Sequence, residues 1–167
     1  MCRWCEGPAF GLDGFGIERR EDATLAGTFW RGSHADAVAG GLAATLVRLR
    51  ERILEEAAFA PGPVVVVTLA GQGDEVRCFA GARLANGAAA PSGTEEFAVA
   101  AADYAVANHH RPDGEVLGRY AAMLDWIRTE RLARDRSHLQ HREEYPLHAD
   151  FARPETVRLM VPIRPEG

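Results

Sequence analysis

No stretch of this sequence approaches the ~20 uninterrupted apolar residues that a membrane-spanning helix requires, so no membrane span is expected. The opening Met1-Cys2-Arg3-Trp4-Cys5-Glu6 is followed by no apolar run of the kind a secretory leader carries, and the expected location is the cytoplasm. A basic excess is missing too. Lys and Arg number 19 against 24 Asp and Glu, a net charge of −5, whereas a nucleic-acid binder presents a basic face to phosphates. Direct DNA binding is not expected. Cysteine is scarce: Cys2, Cys5 and Cys78 form an odd set, read as reduced thiols. Cys2 and Cys5 make a CxxC without the second pair or the Cys/His partners that a zinc site needs.

Catalytic signatures are also sparse. Ser33, Ser92 and Ser137 have no glycine elbow around them. Gly40-Gly41 and Gly71-x-Gly73 lack the lysine and serine of a phosphate-binding loop. His109, His110, His138, His141 and His148 crowd the second half, but His138 and His141 on a strand would face opposite ways. Neither a metal nor a cofactor is expected.

The composition is that of a globular domain: 167 residues, 47% hydrophobic and 26% charged, enough to bury a core without staples. Residues 1–22 show no sustained period and read as an irregular lead-in. Thr24 to Arg31 reads as a strand ending at Gly32-Ser33. Ser33 or Asp36 can then cap a helix running to about Ala58, with Val38, Leu42, Leu46, Leu49 and Ile53 as one apolar stripe. Gly40 and Gly41 inside it cost stability and imply a close approach. Pro61-Gly62-Pro63 ends the helix. Val64 to Val67 is a β-branched buried strand, and Val76 to Arg83 completes a hairpin across the turn Gly71–Asp74.

The small, polar, proline-containing segment 84–95 reads as a linker, and the order then repeats. Phe97 to His110 holds a strand centred on Tyr104–Asn108. Pro112-Asp113-Gly114 starts a helix with Leu117, Tyr120, Leu124 and Ile127 as its stripe and Trp126 at the edge. Leu139–Leu147 and Thr156–Pro162 are further strands, joined by a turn with Asp150, Arg153 and Pro154. The expected fold is α+β in a single domain over 1–167. It has two β-α-β-β repeats, about 24–83 and about 97–163, related by a pseudo-two-fold. They share an antiparallel sheet with the helices on one face. No helix-turn-helix unit fits before Thr24 or after Pro162.

Several short stretches of the second half line up in order: Asp103-Tyr104-Ala105-Val106, His110-Arg111-Pro112-Asp113, Leu124-Asp125-Trp126-Ile127, Glu143-Glu144-Tyr145, Pro154-Glu155 and Met160-Val161-Pro162-Ile163. Together they resemble the C-terminal half of GyrI-like effector-binding domains. The first half matches in layout, with Thr68 where the family has an aromatic residue. The resemblance implies a stand-alone binder of bulky, flat or cationic hydrophobic compounds in a cleft between the repeats. A hydrolase on the same scaffold, opening cyclopropane rings of DNA-alkylating natural products, is the alternative. A protein partner such as gyrase or a regulator is a third reading.

Alternation along His141-Arg142-Glu143-Glu144-Tyr145 puts Glu143 and Tyr145 on one face and Glu144 on the other. The family's acid maps to Glu143. It would act as counter-charge to a lipophilic cation, or direct a water if the protein is an enzyme; a salt bridge to Arg142, Arg158 or another surface arginine is the plain alternative. Trp30, Tyr104, Trp126 and Tyr145 are the expected aromatic walls, with Phe29 replacing Trp30 if the register differs by one.

Overall fold

Strands dominate because β-branched and alternating segments outnumber helical stripes along the chain. The structure, a computed structural model, describes residues 14–111 and 114–167. In chain order the elements are β1 (Phe15–Arg20), β2 (Ala23–Ser33), α1 (His34–Val38), α2 (Gly41–Glu55), β3 (Val64–Leu69), β4 (Glu75–Arg83), β5 (Glu95–Val99), β6 (Ala102–His110), α3 (Val116–Thr129), β7 (Leu132–Arg134), β8 (His141–Tyr145) and β9 (Thr156–Pro165). Strand pairing is antiparallel along the path β1-β6-β9-β8-β3-β4-β2-β5, with β7 beside β9. The two β-α-β-β units meet at the β3–β8 pair, and the path reads the same outward from it in both directions. The fold is the expected α+β arrangement.

Three strands were not expected. The lead-in contains β1: Phe15, Ile17 and Arg19 alternate with Gly16, Glu18 and Arg20, but the partner is β6, over eighty residues away. β5 takes the last residue of the expected linker and the start of the expected Phe97–His110 stretch and pairs with β2, and β7 follows α3. The rest of the linker is fastened, since Leu84 is buried and bridges Phe59 and Arg52 donates to the Ser92 carbonyl. Cys2, Cys5, Pro112 and Asp113 lie outside the described residues.

The outer ladders share one register. Phe15 faces Ala107 and Arg20 faces Ala102; beyond the links at 21–22 and 100–101, Ala23 faces Val99 and Gly27 faces Glu95 on the same diagonal. They form one long ladder, interrupted only at the links. Along the sheet path β1 and β2 are six strand spacings apart, roughly 29 Å if flat, yet two residues join them, a reach of about 11 Å. The sheet therefore curls until its ends meet.

Curling gives the sheet two cores. Inside lie Leu25, Val65, Val67, Phe79, Val99, Tyr104, Val106, Leu139 and Met160. Outside, Leu46 and Leu49 of α2 and Met123 and Ile127 of α3 pack on Val64, Val66, Ala80, Ala105 and Leu159. Both helices therefore cover one face.

The first helix is broken in two. Ser33 and Asp36 form a reciprocal capping box on α1, but Gly40 adopts φ +100°, a conformation open to glycine and strained for other residues. The break shifts the helical phase, so Val38 leaves the stripe and is 89% exposed. On α3, Leu117 is likewise exposed and Met123 takes the buried position.

The inner face carries a buried ionic chain. Glu144 accepts from Arg142 at 2.8 Å and from Arg20 at 2.9 Å, Arg20 also meets Glu18, and Arg158 lies 3.5 Å from Glu18. The chain pins β1 to β8 and β9 across the curl. Burial alone would raise the Glu144 carboxyl, but Arg142 and Arg20 outweigh it and hold it below the ordinary value of 4.5. Its contribution is present above about pH 4.5 and is lost as pH falls through the depressed folded value. Glu144→Gln should cost about 3–5 kcal/mol at neutral pH, because two arginines lose their anion in a buried setting. In urea titrations from pH 7 to 3, the gap between wild type and variant should narrow with acid; a constant gap would reject the ionic origin.

Candidate functional site

Strand alternation sends His141, Glu143 and Tyr145 to the helix side of β8 and Arg142 and Glu144 to the inner side. The central pairing then places Val64 opposite Tyr145, Val66 opposite Glu143 and Thr68 opposite His141. Above Glu143 and Tyr145 lies a cleft of about 840 Å³. One wall is the α1–α2 junction with Val38, Gly40, Leu42 and Leu46. The other wall is the start of α3 with Glu115 and Val116, and Phe151 and Pro154 of the β8–β9 connection close a side. The volume is that of a site for a drug-sized molecule.

Glu143 sits half-buried on this floor, and both its oxygens are held. The Tyr120 hydroxyl donates to one at 2.8 Å and the Tyr145 hydroxyl donates to the other. Among the described residues no ion pair reaches it; Arg142 is engaged with Glu144 and Arg158 with Glu18. The salt-bridge reading therefore belongs to Glu144 and not to Glu143. Burial first, and then the Glu143 charge with its hydrogen bonds, push both phenols well above the ordinary tyrosine value of 10.0. They remain protonated donors. Two neutral donors order the carboxylate without cancelling its charge.

The surroundings are apolar or neutral. Cys78 is buried beside the site, and burial followed by the Glu143 charge pushes its thiol up to about 12, so it carries no thiolate reactivity. His141 stacks obliquely on Tyr120 at 5.0 Å, and burial outweighs the pull of Glu143 to lower its imidazole. Among the described residues no cluster of His, Cys, Asp or Glu is arranged to hold a metal ion, and no helix is long and apolar enough to cross a membrane.

The structure separates the other expected walls. Tyr104 is fully buried on the inner face with the Arg142 guanidinium 5.9 Å over its ring, so it cannot line the cleft. Ala105 and Ala107, its alternate neighbours, hold the helix side. Trp126 turns toward β1 and packs on Phe15 at 5.7 Å. Trp30 does take the helix face, opposite Cys78, with its ring edge against Gly41, but lies beneath the α1–α2 junction and off the cleft lining. Phe29 faces the inner side with Phe79 and Phe97. Three residues escaped the sequence reading: Tyr120, taken there as core stripe, which reaches Glu143 from α3, and the cleft-lining His109 and Phe151. Phe151 stands edge-on to Tyr145 at 6.0 Å and is capped by Arg50 at 4.7 Å.

No protein-family profile matches the sequence, and no curated protein matches it. Solved structures do. The chain is similar to SAV2435 bound to tetraphenylphosphonium (TM-score 0.63, 11% identity, 90% of this chain and 93% of that one). It is similar to the EcmrR C-terminal domain (TM-score 0.60, 11% identity, 90% and 97%). A hydrolase encoded by lin2189 from Listeria innocua aligns over 98% of this chain and 96% of its own (TM-score 0.56, 12% identity). At this identity the likeness is one of fold: the chain has the GyrI-like fold.

The phenol assignment has a direct optical test. All three tyrosines of the chain, Tyr104, Tyr120 and Tyr145, are raised above 10.0. Tyrosinate absorbance near 295 nm should therefore stay small in the native protein at pH ~10.5 and appear at its ordinary midpoint of about 10 in denaturant. A native midpoint at the ordinary value would show that the phenols do not face Glu143.

Proposed function

We propose that this protein binds lipophilic cationic small molecules in the cleft between its two repeats, with Glu143 as the counter-charge. One observation carries the reading. A half-buried carboxylate lies on the floor of a mainly apolar cleft, ordered by two phenols and paired with no cation among the described residues. Such a charge is costly against apolar surroundings unless a ligand cation meets it. A delocalised cation brings a low desolvation cost of its own, and any aromatic face that it meets in the cleft adds quadrupolar attraction. That a protein of the same fold has been solved with tetraphenylphosphonium supports the choice of ligand class.

The hydrolytic alternative uses the same floor, and a hydrolase of the same fold keeps it in view. The hydrogen bonds weigh against it. Each oxygen of Glu143 already accepts from a phenol, which suits a fixed counter-charge better than a base that must take a proton from water. No role for this cleft in reading DNA follows from its lining.

Calorimetric titration with tetraphenylphosphonium tests the proposal. Wild type should bind saturably, and Glu143→Gln, which keeps shape and removes charge, should raise Kd by roughly tenfold or more. Absence of saturable binding, or equal affinity in the variant, would defeat it. Mass spectrometry of a cyclopropane-containing alkylator after incubation should return unmodified compound; a water adduct would favour the enzyme.

A further inference from the structure

The cleft has a second polar feature, at its far end. His109 of β6 lines it and is 7% exposed. Its Nδ1 is shut off from solvent without a hydrogen-bond partner among the described residues, and its Nε2 is not so enclosed. A buried donor without an acceptor is costlier than an idle acceptor lone pair, so the favoured tautomer leaves Nδ1 bare and puts the proton on Nε2. The cleft wall then presents an N–H donor. Arg111 and Arg153 line the same end, although Arg111 also reaches Glu155 at 3.8 Å.

Strand register fixes how far this end lies from the carboxylate. His109 faces Val157 across β9, while Glu143 faces Leu159. The two residues are two strands apart laterally and two residues apart along the strands, roughly a nanometre or slightly more between Cα atoms. The cleft is thus polarised, with an acceptor charge at Glu143 and the His109 donor at the other end, where Arg111 donates to the Arg153 carbonyl at 3.1 Å.

We infer that the ligand is bipolar: a cationic, apolar head at Glu143 and a hydrogen-bond acceptor, carbonyl or carboxylate, about a nanometre away that takes the His109 N–H. This rests on the cleft reading above and adds His109 as the residue that selects among cations. An apolar cation satisfies only half of the floor.

Two probes with one head separate the ideas: tetraphenylphosphonium, and (6-carboxyhexyl)triphenylphosphonium, whose flexible arm carries an acceptor far enough from phosphorus. Isothermal titration with wild type, His109→Phe, His109→Gln and Glu143→Gln should show three things. The carboxylated probe binds wild type more tightly than tetraphenylphosphonium. His109→Phe weakens the carboxylated probe by roughly tenfold while changing tetraphenylphosphonium less than about twofold. His109→Gln, which keeps a donor, recovers much of the loss, with thermal melts confirming that each variant is folded. Equal weakening of both probes in His109→Phe, or no preference for the arm in wild type, overturns the inference and leaves the cation site standing. Failure of both probes to bind wild type overturns both readings together.

Discussion

Everything in this fold hangs on the shared register of the two outer ladders. The chain runs from β1 into β2 and from β5 into β6 through two-residue links, yet each strand of a linked pair hydrogen-bonds at a different end of the sheet path. Only a sheet curled on itself satisfies both. The curl removes most open edge, which otherwise invites pairing with other chains, and creates an interior small enough to fill with Phe79, Tyr104, Val65 and Val67. Arg20 can reach Glu144 only because of that curvature, since β1 and β8 are three strands apart along the path. The ionic chain therefore belongs to the closure, and the helix face is left free to build a cleft.

The two halves are alike in backbone and unlike in chemistry at the seam. The antiparallel β3–β8 pair is centred on Val66 and Glu143, so the two-fold relates those two residues, and likewise Thr68 and Tyr145. One half contributes the acid and its phenol; the other contributes a valine and a threonine. A symmetric floor would hold two carboxylates about one strand spacing apart, and like charges that close disfavour joint ionisation. With the acid in one half only, the helix side of the seam carries a single carboxylate. The apolar replacement, Val66, also joins the core beneath the helices.

Much of this was legible in the sequence where a periodicity of two or of 3.6 was intact. The valine run, both hairpins and the facing of Glu143 and Tyr145 against Glu144 follow from alternation alone. The losses have physical causes. β1 is short and glycine- and charge-bearing, and its partner lies far along the chain, so no local pattern marks it. Tyr104 was lost because a strand residue offers two faces, and the alanines beside it, the small residues that let α3 approach, looked less important than the ring. Trp126 shows the same difficulty on a helix, where one position turns a side chain by about 100°. His109 stood out only as one of a crowd of late histidines, because its burial depends on what the rest of the fold places around it.

Tyr120 shows why the site could not be read from its acid alone. In a helical stripe a tyrosine reads as packing, and here it does pack against the helix-side core. Its hydroxyl, however, is the longer-range connection, reaching from α3 down to Glu143 on the sheet. Tyr145 supplies the matching donor from the carboxylate's own strand. One donor travels with the floor and the other with the wall, so the position of α3 and the orientation of Glu143 are coupled. The same two contacts therefore order the charge and tie it to both wall and floor.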